Sequence, residues 1–76
     1  MKWKDAVRQA IVRVASNRPG RVFSLAELRE AELARIVRDT GSRGATPERT
    51  LERECQELRD LGFIEFVDND GTYRLR

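Results

Sequence analysis

Arg43, Thr46, Arg49, Thr50 and Arg53 fall in one short stretch of the chain, and they are the side chains best suited to chemistry on a polyanion or a base edge. An arginine guanidinium presents paired donors that match the two major-groove acceptors of guanine, and threonine can meet a base edge or a methyl group. Thr46-Pro47 reads as a helix start, because threonine can cap and proline is tolerated at the first helical position. Glu48 adds a negative charge at the positive end of the helix dipole. The five residues therefore cluster at a helix N-terminus, the end whose free N–H groups also favour phosphate. Arg49 with Glu52, and Arg53 with Glu57, also have the spacing of ion pairs along a solvated helix face, the competing reading of the same residues.

Catalytic chemistry is poorly supplied. The sequence has no histidine and a single cysteine, so a zinc site is implausible and no internal disulfide can form. Cys55 falls between Leu51 and Leu58 on one helical face, which predicts a buried, inert thiol. Gly41-Ser42-Arg43-Gly44 lacks the lysine and the spacing of a nucleotide-binding loop. An independent enzyme is not expected, and neither a cofactor nor a metal is implied. No signal-like or membrane-spanning apolar run is present, and a reducing, cytoplasmic compartment suits the cysteine usage.

A length of 76 residues, 39% apolar and 37% charged, predicts one small folded domain over 1–76 with a modest core. The formal charge is only +2 but unevenly spread. Lys2, Lys4, Arg8, Arg13, Arg18 and Arg21 stand against Asp5 alone in the first 21 residues, and the remainder is net acidic. Such a basic segment suits a polyanion, with Lys2 and Lys4 as candidate contacts.

The elements that must position these groups follow from periodicity. Trp3, Val7, Ala10 and Val14 recur at helical spacing and predict a first helix from about Trp3 to Ser16. Arg21 to Ser24 is a short β-prone piece. Ser24 with Glu27 is a capping box, which starts a second helix at Leu25 running to about Asp39, the alternative being a kink or a two-helix break where the stripe shifts at Glu30-Ala31-Glu32. The third helix buries Leu51, Cys55, Leu58 and then Leu61 or Gly62. Phe63 to Val67 and Thr72 to Leu75 flank Asp68-Asn69-Asp70-Gly71 as a hairpin whose turn needs positive φ. Trp3, Val7, Ile11, Leu28, Ile36, Leu51, Leu58, Phe63 and Ile64 are the expected core.

This order predicts an α+β fold, a winged helix-turn-helix with three main helices and a C-terminal two-stranded β wing, the short piece before the second helix pairing with the wing. Such an architecture places the N-terminal residues of the third helix in the DNA major groove. The acidic residues Asp68 and Asp70 at the wing tip leave Thr72 and Arg74 as the wing's candidate phosphate contacts.

Gln56, Leu58-Arg59-Asp60, Gly62, Ile64-Glu65-Phe66, Gly71 and Tyr73-Arg74-Leu75 together resemble the C-terminal winged-helix domain of DpnI-type and Dam-replacing restriction endonucleases. Trp3 and Phe23-Ser24-Leu25 extend the likeness loosely. The resemblance implies a DNA-binding reader of adenine-methylated sites, with cutting by a separate, fused N-terminal nuclease domain. Thr50, Glu52, Arg53, Glu54 and Cys55 depart from the family's pattern, and the best-matching positions, Leu58, Arg59, Asp60, Gly62 and Tyr73, are structural in kind. The partner expected is therefore double-stranded DNA and no membrane. A protein-interaction or dimerisation module is the alternative, favoured by an exposed apolar patch beside Trp3, whereas a basic strip from Lys2 through Arg43 and Arg49 favours DNA.

Overall fold

Ser24 sets the frame of the molecule, because it ends one strand and caps the next helix. Its Oγ accepts from the Glu27 N–H at 3.0 Å, and the Glu27 carboxylate accepts from the Ser24 N–H at 3.1 Å. The computed structural model, which describes residues 1–68 and 71–76, places around this cap α1 (Trp3–Ala15), a 3₁₀ turn (Pro19–Arg21), β1 (Val22–Ser24) and α2 (Leu25–Thr40). Then come α3 (Pro47–Asp60), β2 (Ile64–Phe66) and β3 (Thr72–Leu75). The architecture is α+β, three helices against one antiparallel sheet.

The sheet has three strands rather than the two counted for a hairpin alone, in the order β1-β3-β2. Phe23 lies opposite Tyr73, and Tyr73 lies opposite Phe66, so three aromatic rings stack in a row across the sheet. β1 is recruited because β3 has two hydrogen-bonding edges and the hairpin with β2 occupies only one of them. Gly71 has φ +82°, as the hairpin turn requires. Asn69 and Asp70, expected in that turn, lie outside the described residues.

Val7, Ile11, Phe23, Leu28, Ile36, Leu51, Cys55, Leu58, Ile64 and Tyr73 form one core, with Trp3, Val14, Leu25, Leu33 and Phe63 packed at its margin. Trp3 and Phe63 are half-buried, and of Leu61 and Gly62, the two alternatives for the end of the buried line, Leu61 is 69% exposed and Gly62 half-buried. The reason lies in the helix stop. Leu61 is already the C-cap, Gly62 turns left-handed at φ +86°, and the Phe63 N–H returns to the Leu58 carbonyl at 3.0 Å. This C-terminal motif swings the chain so that Phe63, not Leu61, comes back to the core.

α2 runs as one helix through Glu32, without the alternative kink or break. Glu32 is itself 8% exposed and faces α1, where its Oε1 accepts from Arg13 Nη2 at 2.6 Å and Nε at 3.0 Å. A carboxylate on the buried face disrupts the apolar stripe in the sequence but not the helix, because its partner is supplied from another element. Arg13→Ala is expected to leave that nearly buried carboxylate with only the more distant Arg35, whose Nε lies 3.8 Å away, lowering stability by at most roughly 1.5–3 kcal/mol, measurable as a shift of the urea midpoint at unchanged slope.

Candidate nucleic-acid interface

The outer face of α3 is the stripe Arg49, Arg53, Gln56 and Asp60, all exposed and directly opposite the buried line of Leu51, Glu54, Cys55 and Leu58. Arg43 and Ala45 are exposed in the loop that leads into α3, and Thr46 is exposed at its N-cap. Proline stands at the first helical position, as expected. Thr46 does not cap with its side chain. Its carbonyl instead accepts from the N–H groups of Arg49 and Thr50 at 3.1 and 3.3 Å, and the Thr50 hydroxyl reaches back to the same oxygen at 3.5 Å. A carbonyl that takes up these N–H groups, together with a proline that has none, leaves fewer free donors for phosphate at this helix end.

Half of the cations nominated from the sequence are held by carboxylates. Lys4 Nζ lies 2.9 Å from Glu57 Oε1, a hydrogen bond that raises the Lys4 pKa and fixes it on the C-terminal half of α3. Arg53 Nε is 3.7 Å from the other oxygen of Glu57. Arg74 Nε donates to Glu65 at 2.6 Å, and Arg76 lies 3.8 Å from the same carboxylate. Arg13 pairs with Glu32, and Arg18 pairs with the capping residue Glu27. Arg43, Arg49 and Lys2, like Arg8 and Arg21 elsewhere on the surface, are exposed, and among the described residues no carboxylate pairs with any of them. The amino group of Met1 donates to the Asp39 carbonyl at 3.3 Å. That bond sets Lys2 beside the end of α2, from which the loop carrying Arg43 runs into α3.

The structure thus gathers Lys2, Arg43, Thr46, Arg49 and Thr50 toward the α2–α3 loop and leaves the wing residues apart. Thr72 pairs in register with Ser24, and Leu25 donates to the Gly71 carbonyl, so Thr72 adjoins the opposite end of α2 from Lys2. Gln56 is a member of the outward stripe that the sequence reading does not nominate. Its spacing of three from Arg53 and seven from Arg49 is the signal that places it there.

Behind the stripe, Arg59 fastens the end of α3 to the sheet. Its guanidinium lies 4.4 Å from the Phe66 ring centroid and 3.2 Å from Asp60 Oδ1, a structural role for both residues. One buried polar group of α3 has no counterpart in the sequence reading: Glu54 is 7% exposed, and its Oε2 is sealed from solvent without a hydrogen-bond partner among the described residues. Its neighbour Cys55 is fully buried, as its spacing predicts, and burial, aided by Glu54 and Glu52, pushes its thiol up from 9.0 to about 12. Burial likewise raises the Tyr73 hydroxyl.

A thiol raised in the folded state stays protonated there while the unfolded chain ionises. Its contribution to stability is present below its ordinary pKa and declines as pH rises from about 9 towards 12. Iodoacetamide at pH 8 is accordingly expected to label Cys55 only as fast as the domain opens, with labelling accelerating in parallel with unfolding as urea is added. Rapid labelling of the native protein would contradict this.

Among the described residues no helix is long and apolar enough to cross a membrane. No protein-family model matches the chain, nor does any curated protein or solved structure.

Proposed function

We propose that this domain is a winged helix that binds double-stranded DNA, with the outer face of α3 in the major groove. The observation that carries the reading is the contrast among its cations: Arg43 and Arg49 stand exposed and uncompensated at the start of α3, whereas Lys4, Arg13, Arg18, Arg53 and Arg74 are engaged by carboxylates. Arg49 and Gln56 supply the side-chain types that pair with guanine and adenine edges. Lys2 and Arg43, beside the loop, would meet the backbone. The order α1, β1, α2, α3 and a hairpin that β1 completes is that of a winged helix-turn-helix.

Within this reading, adenine methylation is the finer proposal, and it rests on the resemblance to reader domains of restriction endonucleases. A methyl group on the adenine amine projects into the major groove and removes a donor there. Exposed Ala45 and Thr46, with half-buried Pro47 and Thr50, offer a weakly polar surface to such a group. Gln56, by contrast, would lose its bidentate contact to a methylated base. A titration of matched methylated and unmethylated duplexes across a salt series tests both levels. Binding that weakens steeply with salt supports the DNA reading. Absence of binding at low salt overturns it, and equal affinity for the two duplexes removes the methyl preference alone.

A further inference from the structure

α1 turns a second stripe to solvent. Met1, Asp5, Arg8 and Val12 line one open groove of about 640 Å³, floored on one side by Phe63. At 3.6 residues per turn the spacings of three and four keep Asp5, Arg8 and Val12 within a stripe roughly 60° wide, and Met1, which precedes the helix, lines the same groove. Such alternation is the seam spacing of paired helices. Met1 is 57% and Val12 44% exposed, the ends of the stripe being apolar. Asp5 and Arg8 between them are exposed, one helical turn apart, yet they do not pair with each other, and among the described residues no opposite charge pairs with either. Arg8 rests its guanidinium 4.9 Å from the Phe63 ring centroid, which leaves its N–H edge open.

We infer that this stripe is the contact surface for a second copy of the chain, joined with the two α1 helices antiparallel about a two-fold axis. In the antiparallel register centred between Ala6 and Val7, Asp5 meets Arg8 of the other copy, a contact that occurs twice, and Val12 lies towards the segment that precedes the other copy's α1. The stripe is complementary to itself only in this direction, since a parallel pairing sets Asp5 against Asp5 and Arg8 against Arg8. An isologous contact needs that self-complementarity. Leu61, 69% exposed, lies beside Phe63 in the adjoining groove and extends the apolar margin. The surface is small, so the dimer is weak and forms as concentration rises. The inference does not depend on DNA binding.

Charge exchange at two positions tests it by sedimentation velocity on the full chain. The wild type is expected to pass from monomer to dimer with concentration, and D5R and R8D each to weaken self-association by about tenfold or more. Along the stripe D5R carries two positive charges and R8D two negative ones, so either variant alone opposes like charges. A mixture pairs a D5R copy with an R8D copy and restores both oppositely charged contacts in the antiparallel register. Heterodimer in the mixture at about wild-type strength supports that register, whereas a heterodimer much tighter than the wild type overturns it, because a parallel pairing opposes like charges in the wild type and relieves them only in the mixture. Circular dichroism of each variant separates lost association from lost fold, and the mixture experiment reads association only from folded protein. A wild type that remains monomeric up to about 1 mM, assembly that continues past the dimer, or a mixture that associates no better than its components overturns it.

Discussion

Phe23→Ala is expected to bring the domain to the edge of unfolding. Phe23 has no solvent exposure and stacks on Tyr73 with ring centroids 5.7 Å apart, and Tyr73 in turn stacks on Phe66 at 4.9 Å. Truncating a buried phenylalanine to alanine costs about 3–5 kcal/mol through lost burial and the cavity left behind. A chain of this length holds only about 4–11 kcal/mol in total. The loss is compounded here because the ring also anchors β1 to β3, so the cavity opens beside the strand pair it would otherwise stabilise. Urea denaturation followed by far-ultraviolet circular dichroism should show the midpoint falling by half or more. Phe23→Leu, which keeps most of the volume, should recover most of the difference. A small effect from the alanine variant would mean that β1 is not integral to the core.

On DNA, Arg49→Ala is expected to cost more than Arg53→Ala. Both residues lie on the outward stripe of α3, and both have the chemistry for guanine. Their surroundings separate them: Arg53 is already drawn towards Glu57, whose other oxygen is held by Lys4, while Arg49 has no carboxylate partner among the described residues. Recruiting Arg53 to a base requires giving up that attraction, and its net contribution is correspondingly smaller. A bidentate guanine contact is worth about 1–3 kcal/mol of discrimination, so loss of Arg49 should weaken binding by roughly ten- to a hundredfold on the preferred sequence and less on others. Fluorescence anisotropy on a panel of duplexes reads both quantities. A uniform loss across sequences, with the salt slope reduced by about one unit, would make Arg49 a phosphate contact instead. Equal losses at the two positions would show that Glu57 exerts no hold on Arg53.

The helices are largely legible in the sequence, α1 through its apolar spacing and α2 and α3 through local chemical signatures at their ends. Ser24 with Glu27 and Gly62 after Leu61 act through hydrogen bonds within a few residues, and Pro47 acts through its fixed φ and missing N–H, so a local pattern can report a local constraint. The aromatic row is half legible. Phe23 and Tyr73 can be placed in strands, but only the register of three strands puts them on one face with Phe66. What cannot be read is which charges are compensated. Lys4 and Glu57 are separated by 53 positions, and Arg13 and Glu32 by 19, so these pairs exist only once the helices pack. A basic N-terminal segment therefore looks like one electrostatic surface, and the folded chain divides it into cations that hold the fold and cations that face outward. Glu54 is hidden for the opposite reason: a glutamate beside Cys55 has the look of a solvated residue, and nothing local marks its burial.

The order β1-β3-β2 also dictates when this chain can fold. Its central strand is the last of the described elements to leave the ribosome, so α1, α2 and α3 are made before the surface against which they pack exists. The hairpin of β2 and β3 can close by itself, but the β1–β3 ladder joins residues about fifty positions apart and must await it. A nascent chain halted before Thr72 would present Phe23, Leu58 and Ile64 to chaperones and proteases. The cooperative unit is complete only when Tyr73 and Leu75 are free of the exit tunnel.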